Sequence, residues 1–276
     1  AGDDDLLDAL AGVVVARAVV EGRALRLPAA PERDDFGLPI AIWTVPAMPS
    51  AEATSPQESL VTGSQDPVIL PVGPADIEAA HARIAGHVRR TPSLTLPHGA
   101  FGHDGPLSLK LEFLQHAGSF KARGAFNTLL GAAVPAAGAA AASGGNHGAA
   151  VAFAAHSLGL PARIFVPEIS SAPKIAAIRR FGAEVVVGGA RYADAQEACD
   201  RYVAESGALR VHPFAAPATI AGQGTVALEW ERDGPALDTV LVAVGGGGLV
   251  AGMAAWFGDR VKVVGVEPEG SCALHA

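Results

Sequence analysis

Gly118-Ser119-Phe120-Lys121-Ala122-Arg123-Gly124-Ala125-Phe126-Asn127 and, far downstream, Val240-Leu241-Val242-Ala243-Val244-Gly245-Gly246-Gly247-Gly248-Leu249 decide how this chain is read. The second stretch is an uninterrupted apolar run that ends in four glycines, with a helical pattern from Leu249 to Phe257. A strand apolar on both faces belongs inside a parallel sheet covered by helices. Glycines between such a strand and a helix let the backbone turn tightly and aim its N–H groups outward. With the helix dipole behind them, those donors bind a phosphate dianion without a cationic side chain. The plain structural alternative is a strand-to-helix turn that needs small residues, for which two glycines would often suffice. Neither the dinucleotide fingerprint nor the Walker lysine pattern fits the loop.

The first stretch starts a helix near Ser119 that runs through Leu130. Lys121 falls in its first turn, where the dipole disfavours positive charge and leaves more free amine for imine formation. A lysine on a helix is ordinarily a solvated surface charge. Its setting between Phe120 and Ala122, with the tetraglycine turn downstream, argues against that here. A third polar loop, Ser143-Gly144-Gly145-Asn146-His147-Gly148, lies between two apolar stretches. Its small residues free N–H groups at another helix start, a pocket suited to a carboxylate. Asn146 offers a donor and an acceptor to a ring oxygen. An Asx-type turn capping the next helix is the bland reading of the same residues. His147 reads as a capping or polar-core histidine rather than a general base.

Outward from these anchors the chain alternates strand and helix. Helix is expected over 74–88, strand at 107–112, buried strand at 136–142 and helix to about 158. Strand 163–166, helix 171–181, strand 184–187, helix 191–206, strand 209–212 and helix 218–231 follow, with strand 262–266 last. Such alternation predicts parallel sheets with helices on both faces. The expected division is a larger domain from 74–142 and 221–276 and a smaller one from 143–220. Residues 48–73, rich in Pro, Ser, Thr and Gly, read as a disordered linker. Residues 1–47 read as an extension of one helix (3–21, with Asp3, Asp4 and Asp5 at its positive end) and an irregular tail. Met48 is expected to be the natural start.

Composition limits the function. The 276 residues carry a net charge of −8, which argues against binding nucleic acid through a basic surface. No uncharged apolar run is long enough to span a membrane, and no signal peptide is visible. Cys199 and Cys272 have no metal spacing and suit a reducing cytoplasm.

Five ordered motifs carry a resemblance across Pro74 to Glu269. They are Leu109 to Gln115 leading into Ser119-Phe120-Lys121, then Ser143 to Gly148, Gly222-Gln223-Gly224-Thr225, Val244 to Leu249, and Gly265-Val266-Glu267-Pro268. The chain resembles the threonine/serine dehydratase and serine racemase branch of the fold-type-II pyridoxal-phosphate enzymes. That resemblance implies two open three-layer αβα domains like those of tryptophan synthase β, a homodimer, and pyridoxal 5'-phosphate as cofactor. It implies that Lys121 forms the imine with the cofactor aldehyde, and that Phe120 and Asn146 flank the ring. Gly245, Gly246, Gly247, Gly248 and Leu249 would bind the phosphate; Ser143 with Gly144, Gly145, Asn146 and His147 would receive the substrate carboxylate. The implied reaction is β-elimination from L-threonine or L-serine to a 2-oxo acid and ammonia, with Lys121 as the base that removes the α-proton. Racemisation, and a fragment that binds cofactor without turnover, are the alternatives. In the racemases a serine directly before Gly-Asn-His protonates the other face, and here that place is Gly144, which favours elimination. The family's divalent-cation site has Glu267 but Ala273 in its second place, so no metal is assigned. Relatives continue past Ala276, and the segment that meets the pyridine nitrogen would lie there. Separately, residues 3–45 resemble the closing part of uncharacterised RNase-H-like predicted nucleases, through Asp4-Asp5-Leu6-Leu7-Asp8-Ala9-Leu10.

Overall fold

The computed structural model describes residues 25–33, 39–44, 72–103 and 105–266. The helix expected at 3–21, residues 48–71 of the expected linker and the Glu267/Ala273 pair lie outside the described residues, while Val72 is buried in the core. Where an irregular tail was expected, strands β1 (Leu25–Arg33) and β2 (Pro39–Thr44) pair antiparallel.

Helix α1 (Pro74–Ile84) starts at a proline, and Asp76 Oδ2 accepts from the Gly73 N–H at 2.9 Å. Proline tolerates that place because its missing N–H would have no helical partner there. Ile77, Ala80 and Ile84 are fully buried along one stripe. The helix stops short of the expected 88 because Gly86 turns the chain at φ +84°. Next, β3 (Ser93–Leu96) pairs antiparallel with β4 (Leu107–Lys110). β3 escapes a sequence reading because Pro92 and Pro97 bracket four residues and make them look like a loop. This antiparallel pair stands beside the parallel sheets that were expected.

Two parallel units complete the fold. β5 (Ala139–Ala142), β6 (Ala162–Val166), β7 (Glu184–Val187) and β8 (Leu209–Arg210) form one sheet in the order β7-β6-β5-β8. β9 (Thr239–Ala243) and β10 (Lys262–Val266) form a parallel pair. β5 is four alanines, all buried. Successive side chains of a strand point to opposite faces. Ala139 and Ala141 accordingly join the cluster with α3 (Asn146–Ser157) and α4 (Ala172–Arg180), while Ala140 and Ala142 join Ala195 and Cys199 of α5 (Tyr192–Ser206). Small side chains on both faces let helices close over the strand. β5 is thus the inner strand of the four-stranded sheet, and a division at 142/143 would separate it from its partners.

Helix α6 (Pro217–Asp233) joins the parts. It packs on α2 (Lys121–Leu130), on α7 (Gly248–Phe257) and on α1. Glycines make these crossings close. A β-carbon on Gly222 would lie 2.6 Å from Gly124 Cα, and one on Gly252 would lie 2.6 Å from the Gly224 nitrogen. The lysine helix and the helix behind the tetraglycine turn are therefore both set against one axis, backbone to backbone. Among the described residues no helix is long and apolar enough to cross a membrane.

Candidate active site

Lys121 is the first residue of α2. The loop before it is held by Gln115, whose buried amide accepts from Arg89 N at 2.9 Å and donates to Arg89 O at 2.7 Å. Ala117 takes φ +58° in this loop, an unfavourable left-handed conformation for a residue with a β-carbon. The Lys121 amine donates to the Pro213 carbonyl at 2.8 Å and lies 5.2 Å from the centre of the Phe120 ring. Burial lowers its pKa from 10.5 to about 8. The direction agrees with the sequence expectation, but the cause is desolvation of the ammonium rather than the helix dipole.

Phe120, Lys121, Asn146, Gly245, Gly246, Gly247, Gly248 and Leu249 all line one cavity of about 1230 Å³. β4 and β9 form its long walls. The tetraglycine turn has two sides. Nothing lies near the place of a β-carbon on Gly245 or Gly247, whereas one on Gly246 would meet the Phe214 ring at 2.2 Å and one on Gly248 would meet Phe214 Cα at 2.9 Å. Gly247 takes φ +84° as the residue preceding α7. The first N–H groups of a helix have no partner within it, and they open here at the cavity wall. Phe214 is the residue that a sequence reading misses: it requires glycine at 246 and 248, and no local pattern announces it.

The carboxylate loop stands apart from this lining. Among the described residues Ser143, Gly144, Gly145 and His147 do not line the cavity, while Asn146, between them, does. Gly145 N donates to Ser143 Oγ at 3.2 Å, so the serine oxygen closes the turn and its proton is left for another acceptor. The His147 side chain is buried. It is 4% exposed, and its Nε2 is 2.9 Å from the Val211 carbonyl. Burial lowers its pKa from 6.5 to about 3, so it is a neutral core histidine.

A buried ionic cluster backs the lysine. Arg123 is fully buried; its guanidinium donates to Glu112 Oε2 and Oε1 at 2.8 Å and to Glu229 Oε1 and Oε2 at 2.7 Å. Lys110 Nζ donates to Thr91 O at 2.6 Å and to Glu229 Oε2 at 3.0 Å. Burial opposes the Arg123 charge, but Glu112 and Glu229 outweigh it and raise its pKa. Lys110 and Lys121 both line the cavity, yet Lys110 is paired with a carboxylate and Lys121 with a carbonyl. The carbonyl leaves the burial of the Lys121 ammonium uncompensated, and its pKa falls to about 8. Among the described residues no group of three or more His, Cys, Asp or Glu side chains is placed to hold a metal ion.

An amine of lowered pKa at one end and a nest of main-chain donors at the other fit a phosphorylated aldehyde. Comparison with known proteins gives the class. The family described as pyridoxal-phosphate dependent enzyme matches residues 84–276, and the chain belongs to it. The chain is 39% identical over 204 residues to an L-threonine ammonia-lyase of Geobacter sulfurreducens, covering 72% of this chain and 51% of that protein. It is 44% identical over 177 residues to an L-threonine ammonia-lyase of Thermotoga maritima, covering 62% and 44%. Maize serine racemase superposes with a TM-score of 0.68 at 34% identity, covering 72% of this chain and 62% of that one. The chain thus spans about half the length of the curated relatives it matches. Its fold is that of the fold-type-II pyridoxal-phosphate enzymes.

Proposed function

We propose that this chain carries the site for dehydration and deamination of L-threonine or L-serine to a 2-oxo acid and ammonia. The observation that carries the reading is the shared cavity of Lys121, Asn146 and Gly245 to Gly248. Pyridoxal 5'-phosphate, when bound, supplies an electron sink for negative charge at the substrate α-carbon. Lys121 would hold the cofactor's aldehyde carbon and, once the substrate amine displaces it, take the α-proton as general base. Its pKa of about 8 suits both roles near neutral pH. The tetraglycine donors would hold the phosphate, Asn146 and Phe120 would border the ring, and the backbone of 143–147 would receive the substrate carboxylate. The resemblance to named threonine ammonia-lyases supports the lyase reading. The resemblance to serine racemase supports racemisation as the second reading.

Incubation with each amino acid, followed by measurement of pyruvate, 2-oxobutanoate and D-serine, separates the two. Faster appearance of 2-oxo acid than of D-serine is expected; the reverse order would replace elimination with racemisation. Lys121→Ala is expected to lose the near-visible absorbance of bound cofactor together with turnover. Retention of either would refute the role given to that lysine.

A further inference from the structure

We propose that Ser170, from the turn after β6, supplies the substrate loop with a hydroxyl that residue 144 lacks, and that this hydroxyl donates a hydrogen bond to the substrate carboxylate. The inference rests on the reading above for what the 143–147 loop receives. Its own basis is a coincidence of position. A β-carbon built on Gly144 would lie 2.0 Å from Ser170 Oγ and 2.8 Å from Ser170 Cβ. The hydroxyl of Ser170 therefore occupies the space that a side chain on the second residue of the loop would fill.

Two further observations bear on this half-buried hydroxyl. Ser170 is anchored by its own backbone, N–H to the Pro167 carbonyl at 3.0 Å, so the turn holds its side chain against the loop. Among the described residues no protein group takes up its hydroxyl. On the loop itself Ser143 Oγ accepts from Gly145 N, and the loop enters α3, whose first N–H groups have no helical partner. An anion seated on those donors gains a further charge-assisted bond from an adjacent hydroxyl. The close fit also explains why glycine stands at 144: any β-carbon there displaces Ser170.

The test moves the hydroxyl between the two residues. Glycine, which has no β-substituent to eliminate, serves as probe, and its half-saturation is read from the change in absorbance of the bound cofactor. Thermal unfolding of each variant checks the fold. Ser170→Ala is expected to weaken glycine binding by about ten- to a hundredfold, the size of a lost hydrogen bond to a charged group, with cofactor affinity unchanged. Gly144→Ser alone is expected to bind poorly, because its side chain meets Ser170. The double variant Gly144→Ser/Ser170→Gly removes both the Oγ and the Cβ that a side chain at 144 would meet, returns a hydroxyl, and is expected to bind glycine within a few fold of the parent. Equal glycine binding by the parent and Ser170→Ala, with cofactor bound in both, would overturn the role of Ser170. A double variant as weak as Ser170→Ala would overturn it as well, since a hydroxyl at that place would then count for nothing. Absence of cofactor absorbance in the parent would instead sink the functional reading, and the Ser170 assignment with it.

Discussion

Lys121 differs from the other lysine of its cavity by its partner. Lys110 has a carboxylate beside it, whereas among the described residues Lys121 donates to the Pro213 carbonyl, so burial is uncompensated and lowers the Lys121 pKa to about 8. The rate at which the cofactor-free protein captures pyridoxal 5'-phosphate depends on the neutral amine. That rate is expected to rise with pH with a midpoint near 8, as measured by stopped-flow absorbance. A midpoint above pH 10, that of an exposed lysine, would remove the basis for calling this amine activated. His147 titrates in the opposite region. Its folded pKa of about 3 lies below the ordinary 6.5, so between these values the unfolded chain binds more protons and stability rises with pH. Acidification from 6.5 toward 3 therefore weakens the fold. His147→Gln keeps a donor for the Val211 carbonyl and removes the titration, so its unfolding midpoint is expected to fall less than the parent's between pH 7 and pH 5. Parallel losses in both proteins would show that another group titrates.

At the scale of elements, α6 sets the distance between the two anchors. Gly222 meets Gly124 on the lysine helix, and Gly224 meets Gly252 on the helix behind the glycine turn. These contacts are main chain against main chain, so no rotamer change relieves an added methyl. Gly222→Ala is expected to cost about 1–3 kcal/mol in chemical denaturation, the usual range for overpacking. Because the same methyl would lie 2.7 Å from the Arg123 carbonyl, it also displaces the first turn of α2. Cofactor affinity should fall with stability. A variant of unchanged stability and affinity would mean that α2 and α6 separate without cost. The glycine-rich motif from Gly222 to Thr225 was visible in the sequence, but its purpose was not: glycines in a helix signal close packing without naming the neighbour.

At the scale of the molecule, Arg123, Glu112, Glu229, Lys110 and Thr91 tie α2, α6, β4 and the segment before β3 into one buried network. Desolvated ions are costly unless every partner is present. Glu229→Gln removes the charge that Arg123 and Lys110 share and is expected to destabilise the protein by about 3–5 kcal/mol. Being buried, the effect should hardly change between low and high salt in denaturant titrations. A loss below about 1 kcal/mol would place the pair in the class of surface bridges.

What could be read along the chain was whatever repeats or turns locally. The apolar run at 240–244, the glycines after it, the alanine strand at 139–142 and the helix opening at Lys121 are all written in neighbouring residues, because backbone conformation and strand or helix period are short-range properties. β3 was hidden, since four residues between prolines carry too little pattern. The meeting of Lys121 with the tetraglycine turn in one cavity, the burial that frees its amine, Phe214 behind Gly246 and Ser170 in the space of Gly144 were decided by tertiary structure alone. Each joins residues far apart in sequence, and which distant groups share water-free space follows only from how the helices and sheets pack.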